Sequence, residues 1–259
     1  MIRQEHMTIA AIEPLAERIY KVTLEGDLVE EMTQPGQFVH IRIGSGIDPL
    51  LRRPISIARI DRPARQAVVI FRAEGKGTGL LSTYRPGDVL DVLGPLGNGF
   101  PVDSISPGEV ALLVGGGIGV PPLYELSRQL KAKGVIPVHV LGFETASVAF
   151  YEKEFAKLGE TYVSTVDGSL GAKGFVTDAI EEIGIEFNRL YSCGPIPMLK
   201  ALEERFHNKE GYMSLEQRMG CGIGACLACV CHTAGDDTGT AYRKICTDGP
   251  VFKFGEVVV

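Results

Sequence analysis

Cys221, Cys226 and Cys229 crowd into one short stretch with Gly222 and Gly224, and Cys246 follows farther along, giving the spacing C-x4-C-x2-C and then C-x16-C. That is the spacing of plant-type [2Fe-2S] ligation. A rhombic two-iron cluster needs two thiolates on each iron, so a chain that holds one must wrap a tight loop around it and bring a distant segment back. Gly220, Gly222 and Gly224 suit the loop, because a residue without a Cβ reaches backbone conformations closed to others. The competing reading is a structural zinc site or a set of small buried thiols. Zinc modules usually present two C-x2–4-C knuckles, and here only Cys226 and Cys229 have the shorter separation. Cys231 lies two residues beyond Cys229, so in an extended exit from the loop it shares a face with Cys229 and competes for the third ligand position. Spacing favours Cys229.

A chain of 259 residues has room for two ordinary domains and a small appendage. Its net charge of -6 is spread without a basic stripe, which removes the electrostatic footprint of nucleic-acid binding. The first residues are polar, and no apolar run approaches the roughly 18 residues of a membrane span. A cytoplasmic protein is expected. Cysteines gathered near the end of such a chain read as metal ligands under reducing conditions rather than as a disulfide framework.

Short apolar runs at 19–24, 38–43, 55–58, 67–71 and 89–93, separated by turn signals such as Pro35-Gly36 and Pro86-Gly87-Asp88, predict a small all-β domain over 1–102, a barrel. After Pro101 strands and helices alternate. Strands are expected at 109–114, 137–143, 162–166 and 189–192, with helices at 123–133, 149–158 and 176–183, the pattern of a doubly wound parallel sheet over 103–212. Residues 213–259 form a third unit, the cysteine loop and a short β return.

Arg52-Arg53-Pro54-Ile55-Ser56 opens a strand of the β domain, and Gly77-Thr78 sits at a helix start farther along. Arginine presents a planar fork of donors to phosphate, and a helix start adds aligned N–H groups, so both suit a diphosphate. Gly115, Gly116, Gly117 and Gly119 follow a buried strand and precede a helix, where a glycine turn lets backbone approach a dinucleotide. Their spacing is not G-x-G-x-x-G, so a plain strand-to-helix turn competes. Glu144, at the end of the second strand of this sheet, would repel a 2′-phosphate and favours NAD(H) over its phosphorylated form.

Taken with Gly94-Pro-Leu-Gly-Asn-Gly-Phe100 and Cys193-Gly194-Pro195, these motifs resemble the ferredoxin reductase family of flavoproteins, and within it the electron-transfer subunits of NAD-dependent dihydroorotate dehydrogenases. The resemblance implies a six-stranded antiparallel barrel that binds FAD, followed by a pyridine-nucleotide domain. It places Arg53, Pro54, Ile55 and Ser56 along the FAD pyrophosphate and flavin ring, with the Ser56 hydroxyl near N5. Ile70, Phe71 and Arg72 would lie on the isoalloxazine or adenine side, and Gly77 and Thr78 at the diphosphate. Cys193, with Gly194 and Pro195, would sit beside the nicotinamide and orient its C4; a small buried core thiol is the alternative. The implied partner is an FMN-containing dihydroorotate dehydrogenase catalytic subunit, two copies of each in a heterotetramer. Electrons would pass from FMN through the [2Fe-2S] cluster and FAD to NAD in pyrimidine biosynthesis, flavin being the cofactor able to exchange both electron pairs and single electrons. The domains above leave no room for a substrate barrel of about 250 residues. An NAD(P)H-dependent ferredoxin or sulfide reductase, a hydrogenase subunit, and a non-catalytic zinc-stabilised nucleotide module are the alternatives. The chain departs from many ferredoxin reductases by ending Glu256-Val-Val-Val259 rather than on an aromatic residue over the flavin.

Overall fold

Alternating inward and outward side chains close the first part of the chain into a barrel in the computed structural model, which describes residues 1–259. Its strands are β1 (Arg3–Ala16), β2 (Ile19–Glu25), β3 (Phe38–Arg42), β4 (Arg53–Asp61), β5 (Gln66–Arg72) and β6 (Val89–Leu96). All pair antiparallel, in the order β1-β2-β5-β4-β3-β6. β1 lies outside the apolar runs read from the sequence. Only Met7 and Ile9 are fully buried along it, so it carries no continuous apolar signal. Register shifts after Ile9 and Pro14 bend it, as bulges do, and it pairs with β2 along one part and β6 along the other. On β3, Val39 and Ile41 enter the barrel core. Phe38 faces the other way, into a core shared with Cys229 and Cys246, and His40 takes the same side by strand alternation.

A helix, α1 (Lys76–Leu81), follows β5. The chain then builds β7 (Val110–Gly116), α2 (Val120–Ala132), β8 (Ile136–Phe143), α3 (Glu152–Ala156), β9 (Glu160–Thr165), β10 (Ala172–Lys173), α4 (Val176–Ile183), β11 (Arg189–Cys193), α5 (Ile196–Arg205) and β12 (Glu210–Ser214). α2 starts before the expected position because Pro121 and Pro122 occupy its first turn, where a missing N–H costs nothing. The helix expected at 149–158 shortens to α3, which begins after Tyr151 in the left-handed region at φ 65°. α5 and β12 fall in a stretch where the sequence pattern suggested no element.

The cysteine segment adds a small ladder, β13 (Val230–His232) with β14 (Tyr242–Lys244), and then β15 (Val251–Lys253). β15 lies antiparallel on β12, completing a sheet of order β10-β9-β8-β7-β11-β12-β15 whose other strands are parallel. The last segment is thus stitched to the nucleotide sheet. The barrel is fastened to α2: buried Glu125 accepts the Ile60 amide at 3.1 Å and pairs with Arg128 at 2.7 Å. One apolar core runs across this junction, from Ala58 and Ile70 of the barrel to Leu113, Leu123 and Cys193. No helix is long and apolar enough to cross a membrane.

Candidate functional site

A cleft of about 810 Å³ opens between the barrel and the segment after β12. Arg53, Pro54, Ile55 and Ser56 of β4, Ile70, Phe71 and Arg72 of β5, and Thr78 of α1 all line it. The adjacent arginines divide their work. Arg52 is held by Asp91, through a carboxylate bond and a carbonyl bond of 2.8 Å each. Arg53 forms no such ion pair, and its guanidinium lies against α1, where a Cβ on Gly77 would come within 2.6 Å of Nε. Gly77 therefore makes room for the arginine and does not itself line the cleft. Thr78 Oγ1 accepts the amides of Glu74 and Gly75 at 3.2 Å and shapes the turn into α1. A donor fork beside a helix start fits a diphosphate, and the apolar slot of Ile55, Ile70 and Phe71 fits a planar ring system. These residues fit FAD.

The opposite wall escaped sequence reasoning. Ser214, Leu215, Glu216, Met219, Ile245 and Pro250 come from positions far from β4 in sequence, and no periodic pattern marks them. Glu216 lines the cleft and remains exposed to it. Burial raises its pKa, with the positive charge of Arg72 opposing.

A second cleft, of about 550 Å³, lies at the ends of the parallel strands, where the α/β architecture places ligands. Gly116, Gly117, Glu144 and Pro195 line it. Gly115, Gly119, Cys193 and Gly194 do not; Gly119 and Gly194 bring the turns after β7 and β11 into backbone contact. A Cβ on Gly119 would lie 2.3 Å from the Cys193 carbonyl oxygen, and one on Gly194 3.0 Å from the Gly116 nitrogen. Cys193 is fully buried behind them. Burial pushes its thiol pKa up, the Glu216 carboxylate adds to this, and a hydrogen bond with Ser214 opposes it. Phe143, Phe150 and Phe175 supply aromatic walls that the sequence reading did not single out. Arg72 and Ile118 line both clefts, so the two meet there.

The cysteine loop brings four thiols together in two pairs. Cys221 and Cys226 interact through their thiols, and the Cys226 amide donates to Cys221 Sγ at 3.3 Å. Cys229 and Cys246 form the second thiol pair, and the Gly224 amide donates to Cys246 Sγ at 3.2 Å. No three side chains converge on a single ion-sized point. Two thiol pairs with amides aimed at the sulfurs fit a two-iron cluster, with one pair for each iron. Burial works against ionising Cys221, but the Ile223 and Cys226 amides outweigh it and bring its pKa down to about 7. Burial and the Cys229 thiol push Cys246 up to about 11. Cys231 turns to the β13–β14 ladder instead, its sulfur donating to the Arg243 carbonyl at 3.7 Å.

A barrel with a flavin-shaped cleft, a nucleotide cleft that opens into it and a four-thiol loop on their shared flank define an iron-sulfur flavoprotein of the ferredoxin reductase type. The solved structure of an NADH-dependent reduced ferredoxin-NADP oxidoreductase matches 97% of this chain and 89% of its own at TM-score 0.86 and 31% identity. The ferredoxin reductase in carbazole 1,9a-dioxygenase shares the fold at TM-score 0.67 and 21% identity, over 80% of this chain and 66% of its own. Residues 216–258 match the iron-sulfur cluster binding domain of dihydroorotate dehydrogenase B. The electron transfer subunits of dihydroorotate dehydrogenase B (NAD(+)) from Geobacillus sp. (strain WCH70) and Bacillus cereus (strain G9842) are 62% and 57% identical, each over 100% of both chains. The chain belongs to this family of electron transfer subunits. Its cofactors are FAD and a [2Fe-2S] cluster, and NAD(H) is its nucleotide.

Proposed function

We propose that this chain passes electrons from the FMN of a separate, dihydroorotate-oxidising catalytic subunit to NAD, in a cytoplasmic complex of two copies of each subunit that serves pyrimidine biosynthesis. The observation that carries the reading is that the flavin cleft shares a wall with each neighbour. Arg72 and Ile118 belong to it and to the nucleotide cleft, while Met219 and Ile245, close in sequence to Cys221 and Cys246, line it from the cluster side. Flavin bound there would interconvert the hydride pair of a nicotinamide and the single electrons of an iron-sulfur cluster.

The residues of the chain do the positioning. Arg53 would hold the diphosphate of FAD, from its place beside Gly77 in the cleft. Ser56, which lines the same cleft, would offer its hydroxyl to the bound flavin. Glu216 lines the flavin cleft, with desolvation raising its pKa and the charge of Arg72 opposing that rise. Cys193 stays protonated, since its pKa is raised, and acts by filling space behind the nicotinamide rather than as a nucleophile. Gly116, Gly117 and Pro195 bring backbone close to the dinucleotide, and Glu144 disfavours a 2′-phosphate. Cys221, Cys226, Cys229 and Cys246 would hold the cluster. Exposed Ile223 and Leu227 on the same loop give its rim an apolar surface for the catalytic subunit.

The test uses the isolated chain, loaded with FAD and cluster. It should pass electrons from NADH to an artificial acceptor and oxidise no dihydroorotate until an FMN-containing catalytic subunit is added. Cys226→Ser should stop electron flow between the subunits, with NADH-to-dye reduction measuring the nucleotide and flavin half separately. Dihydroorotate oxidation by the chain alone, or undiminished flow between subunits without the cluster, would refute the reading.

A further inference from the structure

His40 is fully buried, and it belongs to neither cleft and is not a cysteine ligand. It sits on β3 directly opposite Pro54 of the flavin-lining strand β4 and opposite Leu93 of β6. Its backbone carbonyl accepts from Arg52, the residue that leads into that strand, at 3.3 Å. Its ring reaches the other way, into the cysteine loop. A Cβ on Gly222, which follows Cys221, would lie 2.6 Å from Nδ1 and 3.3 Å from Cε1, and 3.2 Å from the apolar Leu96 beside it. Gly222 holds φ at 75°, so the loop turns sharply where the imidazole meets it. Neither ring nitrogen has a hydrogen-bond partner. A buried imidazole whose nitrogens have no partner is costly unless something there uses them.

We propose that His40 is a positioning residue for electron exchange between cluster and flavin: it ties the cluster loop at Cys221–Gly222 to the flavin strand and supplies an N–H on the cluster side that stabilises the reduced cluster. Reduction adds negative charge to the iron-sulfide core and its thiolates. A donor beside them favours the reduced form, and hydrogen bonding around the sulfurs is one of the main determinants of cluster potential. The same contact holds the loop at a set distance from β4, together with Phe38, which lines the flavin cleft and packs in one core with Cys229 and Cys246. The inference rests on the assignment of Cys221, Cys226, Cys229 and Cys246 as cluster ligands.

The test compares the holoprotein with His40→Leu, which keeps bulk and removes the donor, and His40→Asn, which keeps a donor near the Nδ1 position. Iron and sulfide content, the electron paramagnetic resonance spectrum of the reduced cluster and its midpoint potential are measured for each. His40→Leu should shift the cluster-flavin electron equilibrium at least tenfold away from the cluster, a fall in potential of about 59 mV or more for one electron, with altered g-values. His40→Asn should recover most of that shift. An unchanged potential and spectrum in an iron-replete His40→Leu protein would overturn the proposal, as would equal shifts in both variants, which would make His40 a packing residue. If His40→Leu fails to hold iron, His40→Asn decides: it must hold a full cluster near the wild-type potential, and loss of iron there also overturns the proposal. A wild-type protein without iron and sulfide would instead refute the ligand assignment itself.

Discussion

Gly119→Ala should destabilise the nucleotide domain far more than Gly117→Ala, two positions away in the same turn. Gly119 has ordinary helical dihedrals, φ -78° and ψ -9°, so alanine there carries no conformational penalty. Its cost is steric. The new Cβ would lie 2.3 Å from the Cys193 oxygen, 2.4 Å from the Cys193 carbon and 2.6 Å from the Gly194 nitrogen. All three are backbone atoms at the end of β11, a strand held on both sides by parallel ladders to β7 and β12. No side chain can rotate away, so the turn after β7 must separate from β11. Overpacking typically costs about 1–3 kcal/mol, and immovable backbone places this case at the top of that range. Gly117 reverses the terms: nothing lies within 4 Å of its Cβ position, but φ is 52°, a left-handed conformation that costs alanine roughly 1 kcal/mol. At about 2–4 °C per kcal/mol for a domain of this size, Gly119→Ala should lower the melting midpoint by about 6–12 °C and Gly117→Ala by about 2–4 °C. Circular dichroism melts of both variants measure this, and KM for NADH should rise in Gly119→Ala as Ile118 and Gly117 leave their places. A Gly119→Ala protein that melts within about 2 °C of wild type with unchanged KM, or a larger loss in Gly117→Ala, would refute the packing argument.

Cys231→Ser should keep a full complement of iron and sulfide while Cys229→Ser loses the cluster, because only Cys229 pairs with Cys246; equal loss in chemical iron analysis would contradict the ligand assignment. The FAD-loaded chain should be reduced faster by NADH than by NADPH in stopped-flow absorbance, and Glu144→Arg should narrow the gap; a wild-type preference for NADPH would count against Glu144 as the discriminating side chain. His139 is buried between Ser127 at 2.7 Å and Thr161 at 2.9 Å, and burial lowers its pKa from 6.5 to about 4. Between those values the unfolded chain binds the proton and the folded one does not, so stability falls as pH falls from 6.5 to about 4, by up to about 1.4 kcal/mol per unit. Urea unfolding across that range should show a shallower slope in His139→Gln, and identical slopes would mean that His139 does not contribute.

The cysteine loop was legible because its chemistry is local. Three of the four proposed ligands and the glycines that let the loop turn sit within a few residues, and spacing favours Cys229 over Cys231. The parallel strands were legible for a similar reason: a strand buried on both faces, such as Val110–Gly116, is apolar without interruption. β1 was not, since a bent strand that buries only Met7 and Ile9 fully looks like polar chain. The cleft residues of β4 were suggested by the order of their motifs and those of β5 only by the family resemblance, and the structure gathers both on one cleft.

What sequence could not supply is everything that depends on two distant segments meeting. Glu216 gains its raised pKa only because β12 delivers it into the cleft opposite β4. Cys193 reads as a nucleotide-site residue in its motif and lies behind the cleft wall in the fold, because the Gly119 turn packs backbone to backbone over it. Gly77 matters for the space it leaves to Arg53, a partner more than twenty positions earlier in the chain. His40 carries no motif at all, and its meaning comes from Gly222 lying against its ring. Local spacing decides which atoms a segment can present, since that depends on a few dihedrals along one stretch of chain. Burial, charge environment and the distance between one site and the next are properties of the packed whole, and only tertiary structure sets them.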